Sequence, residues 1–188
     1  MATDDDSVRE RMARSAVVLF GERGFSATGL RDVVAHSDTP RGSIYHHFPD
    51  GKAELARAAV DRAGLDAAAS FAGDDPVAAL HACIDAWRAA LEASDFRAGS
   101  ALVAVAVEPR EQTGAADDTA QAYTLWADAF TASLRAAGVR RKKAGRLATL
   151  AVAAIEGAVV LSRARRDTSA LDDVGRELEA AIAAARRR

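Results

Sequence analysis

Apolar positions recur along the chain at intervals of three and four, in stretches separated by breaks that carry glycine or proline. After an acidic start over residues 1–6, read as a frayed tail, Met12, Ala16, Leu19 and Phe20 share one face of a helix from about Ser7 to Arg23. Gly24 ends it. Leu30, Val33 and Val34 stripe a second helix of about two turns, which Thr28 can cap. Thr39 as N-cap and Pro40 at the first helical position then predict a third, short helix to about Phe48, stopped by Pro49-Asp50-Gly51. Its Ile44 and Phe48, four apart, face inward together. Arg41, Ser43, Tyr45, His46 and His47 fall mostly on its other faces.

Longer helices follow. One runs from Asp50 or Gly51 towards Phe71, with Asp50 as a candidate cap and Lys52 in a first turn whose dipole disfavours a cation. Beyond Gly73-Asp74-Asp75-Pro76 a helix from about Val77 to Ala93 carries Leu80, Ile84, Trp87 and Leu91. Gly99 to Val107 is apolar throughout and fits a buried strand on pattern alone. With helical neighbours and no partner strand in view, it reads as a buried helix ended by Glu108-Pro109. A polar loop leads to a helix from about Ala115 to Ala137 bearing Tyr123, Trp126, Phe130 and Leu134. Two more, from about Arg140 to Arg166 and from about Ala170 to Arg187, close the chain. The pattern predicts an all-α protein: an N-terminal three-helix helix-turn-helix domain over residues 1–52, and a C-terminal helical domain over residues 53–188, whose ligand-binding and dimerisation reading rests on the side chains taken up below.

Composition changes little in this picture. The 188 residues can bury a real core, and 5% aromatics with abundant alanine suit helices. A net charge of −2 is unhelpful for a nucleic-acid binder, and over residues 7–52 seven cations face five acids, a mild local balance of +2. One cysteine, Cys83, excludes an internal disulfide and fits a reducing compartment. No apolar run reads as a membrane span and the start is unlike a signal peptide, so a cytoplasmic protein is expected.

A short, capped helix with two inward anchors and several hydrogen-bonding tips is suited to presenting side chains in a major groove. Gly24-Phe25-Ser26-Ala27-Thr28, then Leu30-Arg31-Asp32-Val33-Val34-Ala35, then Gly42-Ser43-Ile44-Tyr45-His46-His47-Phe48 resemble the TetR family of bacterial transcription regulators, over about residues 8 to 60. Three residues between Phe48 and Lys52, where many members have two, are similar to the subgroup of repressors controlling lincomycin and multidrug export genes. The resemblance implies that Thr28, Tyr45, His47 and Lys52 touch phosphates. It also implies that Arg41, Gly42, Ser43 and His46 lie on or beside the base-reading surface, with Thr39 and Pro40 opening the same helix. On physical grounds Arg41 can pair bidentately with guanine, and Gly42 lets backbone approach the duplex. His46 and His47 are adjacent, point about 100° apart and make poor joint metal ligands, so neither metal nor cofactor is expected.

The C-terminal part reads as an effector domain. Trp87, Leu91, Phe96, Leu102, Tyr123, Trp126 and Phe130 lie among alanines that leave volume for a small hydrophobic or aromatic ligand, with Cys83 and Glu156 as polar handles. An aromatic stripe of this period also suits plain core. Leu147, Leu150, Ala154, Gly157, Ala158 and Leu161, with Leu171, Val174, Leu178 and Ile182, make apolar stripes for a homodimeric four-helix bundle. The chain lacks a phosphate-cradling loop, zinc spacing or nucleophile elbow, so an enzyme is not expected. A helical adaptor leaves the polar helix up to Phe48 without a purpose. The reading is therefore a homodimeric, ligand-responsive regulator of double-stranded DNA, a repressor on a palindromic operator.

Overall fold

A computed structural model describes residues 4–40 and 42–186, where every periodic stretch is a helix. These are α1 (Asp4–Arg23), α2 (Leu30–Ser37), α3 (Ile44–His47), α4 (Lys52–Ser70), α5 (Pro76–Ala93), α6 (Ala101–Ala106), α7 (Arg110–Thr113), α8 (Ala116–Ala136), α9 (Arg141–Arg165) and α10 (Ser169–Arg186). Among the described residues there is no strand. The all-α expectation holds.

Local chemistry explains where several helices begin. The ambiguous apolar segment is helical because Ser100 caps it, its Oγ accepting the Val103 N–H at 3.3 Å. Asp75 caps α5, accepting from the N–H groups of Val77 and Ala78 at 3.0 and 3.1 Å, and Pro76 takes the first turn. Those two bonds hold the Asp75 carboxyl below its ordinary range. α1 starts earlier than expected, at Asp4. A single turn, α7, stands where a loop was expected, and Gly114 closes it at φ 58.

Packing gathers the chain into two compact units, one of Met1–Gly64 with Gly99–Ala122, the other of Leu65–Ala98 with Tyr123–Arg188. Residues 53–64 and 99–122 therefore pack with the helix-turn-helix residues, although the sequence reading placed them across a boundary at 52/53. In the first unit Met12, Leu19, Phe20, Val33, Phe48 and Leu55 are fully buried, and α1 packs against α2 and α6. Gly21 lets α1 approach the Gly99 backbone so closely that a Cβ there would lie 2.1 Å from the Gly99 carbonyl oxygen. In the second unit α9 packs on α10, and both meet α5, around Leu80, Leu91, Ile155 and Leu171.

One helix of the second unit has a long apolar stretch. Within α9 a window of 18 residues reaches a mean hydropathy of 1.7, long and apolar enough by length and composition to cross a membrane. Leu147, Ala148, Ala151, Ile155, Ala158 and Val159 of this helix are buried in the unit's own core, which accounts for much of that character.

Candidate nucleic-acid interface

The turn before α2 is built by residues other than those expected. Gly29, extended at φ −95 and ψ 161, is the N-cap, and Asp32 Oδ2 accepts its N–H at 2.7 Å. Thr28 does not cap α2. Its hydroxyl donates inward to the carbonyls of Gly24 (2.8 Å) and Leu19 (3.2 Å), and the side chain is buried. Thr28 thus pins the α1–α2 connection, and its hydroxyl is spent inside the unit.

Thr39 is displaced from its expected role in the same way. Asp38 closes α2 in the left-handed region (φ 51), a conformation that Asp tolerates through its short polar side chain. The Thr39 hydroxyl shares a hydrogen bond of 2.8 Å with Ser37, and its N–H donates to the Val34 carbonyl at 3.3 Å. Thr39 therefore seals α2 instead of starting α3. The expected helix from Pro40 to Phe48 shrinks to Ile44–His47 with Ser43 as N-cap, preceded by a turn in which Ser43 N–H donates to the Pro40 carbonyl at 3.0 Å. The Ser43 hydroxyl adds a second bond to that carbonyl at 2.6 Å. Serine competing for backbone and glycine's entropy at position 42 both oppose a longer helix.

What the short helix presents agrees with its pattern. Ile44 and Phe48 are buried anchors, while Tyr45 is 65% exposed and His46, Pro40 and Gly42 are exposed. Ser43 is half-buried. His47 turns inward and is buried, its ring edge-on to His46 at 5.2 Å. Arg41, the residue with the sharpest base-reading chemistry, lies outside the described residues. A groove of about 790 Å³ runs along this face, lined by Leu30, Arg31, Val34, Ala35, Asp38, Thr39, Ile44 and Tyr45. Arg31, exposed on this groove, adds a cation that the short-helix pattern does not point to, although its place opposite Val33 and Val34 on α2 signals an outward side chain. Among the described residues no three His, Cys, Asp or Glu side chains are grouped to hold a metal ion.

Two cations brace the unit. Lys52 lies over the Phe25 ring, with Nζ 4.2 Å from the centroid, and donates to the Ser26 carbonyl at 3.4 Å. Partial burial lowers its pKa, against the opposing influence of Glu108 and Asp32. Arg9 of α1 lies over Phe48 at 4.8 Å and pairs with Glu54 of α4 at 3.3 Å. Asp50 does not cap α4. Its N–H donates to Glu54 at 3.1 Å and its carboxylate meets Arg57 at 3.3 Å.

The expected effector residues are partly brought together. Trp126 and Phe130 are buried against Phe71, with ring centroids 6.3 and 4.3 Å from it, and Tyr123 donates to Glu156 at 3.2 Å. Phe71, just past the end of α4, fills space that the surrounding alanines suggest is open. Trp126 Nε1 is buried and has no hydrogen-bond partner among the described residues. Leu91 is buried in the same unit, and Trp87 is half-buried. Phe96 lies at the end of α5 with φ 58 under the Arg166 guanidinium, and Leu102 belongs to the first unit. Burial pushes the Cys83 thiol up to about 11, only partly opposed by a hydrogen bond with Ser70. At pH 8 about one thiol in a thousand is then ionised. Alkylation of the native protein should run more than about 100-fold slower than that of an ordinary exposed thiol and become complete on unfolding. Rapid labelling of native Cys83, followed by mass spectrometry, would contradict this burial.

The expected dimer residues divide between core and surface. Leu147, Ala158, Leu171, Leu178 and Ile182 are buried within their own unit, so they cannot also face a second copy. Ala154 and Val174 are half-buried, and Gly157 is exposed with nothing within 4 Å of an added Cβ. Close helix approach inside the chain therefore does not explain Gly157. Leu150 (55% exposed), Val160 (51%) and Leu161 (45%) continue its stripe along α9.

Two buried anchors beneath a turn and a one-turn helix, with an aromatic and an imidazole facing outward, define a helix-turn-helix unit of the DNA-binding type. Residues 14–59 match the bacterial regulatory proteins of the tetR family, and residues 76–177 match the C-terminal domain of LmrA/YxaF-like transcriptional regulators. The HTH-type transcriptional regulator Rv0196 of Mycobacterium tuberculosis is 42% identical over 177 residues, covering 90% of this chain and 91% of that one. LmrA of Bacillus subtilis, an HTH-type transcriptional regulator, is 27% identical over 169 residues (87% and 90%). The crystal structure of a regulatory protein TetR from Rhodobacter sphaeroides has the same fold, with a TM-score of 0.74 at 18% identity over 91% of this chain and 96% of that one. The chain belongs to the TetR family of transcriptional regulators, with a C-terminal domain of the LmrA/YxaF type.

Proposed function

We propose that two copies of the chain bind a palindromic DNA operator as a repressor in the cytoplasm, and that a small hydrophobic or aromatic ligand releases them. The observation that carries the reading is the outward set Tyr45, His46, Pro40 and Gly42 held above the buried Ile44 and Phe48. Tyr45 and Lys52 serve the phosphates, while Arg41, Gly42, Ser43 and His46 meet the bases. A bidentate Arg41–guanine pair is worth about 1–3 kcal/mol of discrimination. Phosphate contacts position the unit without reading sequence. The ligand site draws on Tyr123, Trp126, Phe130, Cys83 and Glu156, where Trp126 Nε1 offers a buried donor to a ligand acceptor. Ligand binding favours a conformation in which the two recognition helices no longer match major grooves about 34 Å apart.

Selection of DNA sites from a random pool by the purified protein tests this directly. A two-fold symmetric enriched site is expected, and no enrichment at low salt would remove the reading. The α9 stripe supplies the dimer contact in this proposal, so Leu150→Glu with Leu161→Glu should yield monomers by sedimentation velocity without loss of helix content. Both side chains face out of their own unit. Dimers that persist would place the interface elsewhere.

A further inference from the structure

One acidic residue from outside the helix-turn-helix segment is bonded to the α1–α2 connection, next to the backbone group that Lys52 holds. Glu108, in the loop between α6 and α7, reaches the α1–α2 connection and accepts the Ser26 N–H at 3.2 Å through Oε1. Ser26 is exposed. Its carbonyl in turn accepts from Lys52 Nζ at 3.4 Å, so Glu108 and Lys52 converge on the two ends of a single residue. A backbone N–H and an ammonium group held on the same residue are donors that an anion seeks; a carboxylate now holds the first and acts on the second through its charge. The opposing influence of Glu108 on Lys52 is the largest of the charges acting on that lysine.

The geometry points to Glu108 as an internal stand-in for a DNA phosphate, which must be displaced from the Ser26 N–H, near Lys52, before the DNA backbone can bind there. The inference rests on the DNA-binding reading and adds a residue that sets affinity without touching a base. It also bears on the mild charge of the N-terminal segment. Lys52 does not count as a full cation towards DNA while Glu108 is beside it, and the salt dependence of binding is correspondingly shallow.

The test is a salt series of fluorescence anisotropy titrations with two labelled duplexes, the selected site and an unrelated one of equal length. Glu108→Gln keeps an oxygen for the Ser26 N–H and removes the charge. It should tighten binding to both duplexes by about three- to tenfold near 0.1 M salt. The slope of log K against log salt should steepen by up to about 0.9, the contribution of one phosphate contact. In a Lys52→Gln background most of that gain should vanish. Should Glu108→Gln melt early, Glu108→Asp, one methylene shorter, withdraws the carboxylate and should show a smaller gain of the same kind. Unchanged or weaker binding by a folded Glu108 variant, or a gain kept in full without Lys52, overturns the inference while wild-type binding leaves the DNA reading standing. If neither wild type nor variant binds either duplex at low salt, the DNA reading falls and this inference falls with it.

Discussion

Replacing Phe48 with alanine is expected to remove about 3–5 kcal/mol of stability and to abolish selection of a DNA site. The ring is fully buried and stands at the junction of three helices. Its N–H donates to the Ile44 carbonyl at 2.8 Å, closing α3, and its carbonyl accepts the Gly51 N–H at 2.9 Å, opening the turn into α4. Arg9 of α1 covers the ring face at 4.8 Å. A four-residue helix cannot persist on its own hydrogen bonds, because nucleation costs more than one turn returns. Its position therefore depends on Ile44 and Phe48 being seated. Truncating Phe48 leaves a cavity and an Arg9 guanidinium without its ring, and Tyr45 and His46 lose their fixed place. Denaturant unfolding with an unchanged m-value would report the stability loss, and site selection would report the loss of function. A cost below about 1 kcal/mol would show that the site collapses around the gap and that Ile44 alone anchors α3.

Periodicity carried much of this structure, and its failures share a physical cause. The stripes through Met12, Leu19 and Phe20, through Val33 and Val34, and through Ile44 and Phe48 are all buried as their spacing implies. Polar residues at the joints were harder to read. Thr28 and Thr39 have the chemistry of N-caps, yet both turn inward, because the carbonyls of Leu19 and Gly24 and the Ser37 hydroxyl were nearer partners. Capping preference is local, whereas those partners are fixed by how the chain folds back on itself.

The same limit governs the long-range features. Nothing near Glu108 in sequence indicates that it meets Ser26, 82 residues away. An amphipathic stripe also does not say which side of a helix faces its own chain. α9 has apolar residues on both sides, so Leu147 and Ala158 went to the core while Leu150 and Leu161 stayed outside. Leu171, Leu178 and Ile182 likewise satisfied their burial within one copy. Alanine-rich surroundings suggested an open cavity, but Phe71 enters from the end of α4 and packs on Trp126 and Phe130. Volume left by small residues can be filled from a distant part of the sequence.

The joint between α1 and α6 should be the most sensitive place for a single methyl group. In Gly21→Ala the new Cβ would lie 2.1 Å from the Gly99 carbonyl oxygen and 2.9 Å from its carbon. Both are backbone atoms, so no side-chain rotation relieves the contact. The residue after Gly99 is Ser100, whose hydroxyl caps α6, so pushing the backbone aside disturbs that cap as well. Relief must come from shifting α1 against α6, and a loss of about 3 kcal/mol is expected, the upper end of the usual overpacking range. Gly157→Ala provides the contrast. That glycine is exposed within α9 and nothing lies within 4 Å of an added Cβ, so the helix should gain up to about 1 kcal/mol from the better helix former. One substitution, glycine to alanine, is therefore expected to change sign between two helices of the same chain, and thermal unfolding of the two variants reads it directly. The unfolding should be followed at several protein concentrations, because a contact through Gly157 between two copies would make its melting temperature fall with dilution more steeply than that of the wild type. If Gly21→Ala melted with the wild type, α1 and α6 would have to slide past each other freely, and the rigid joint that places Glu108 beside Ser26 would not exist.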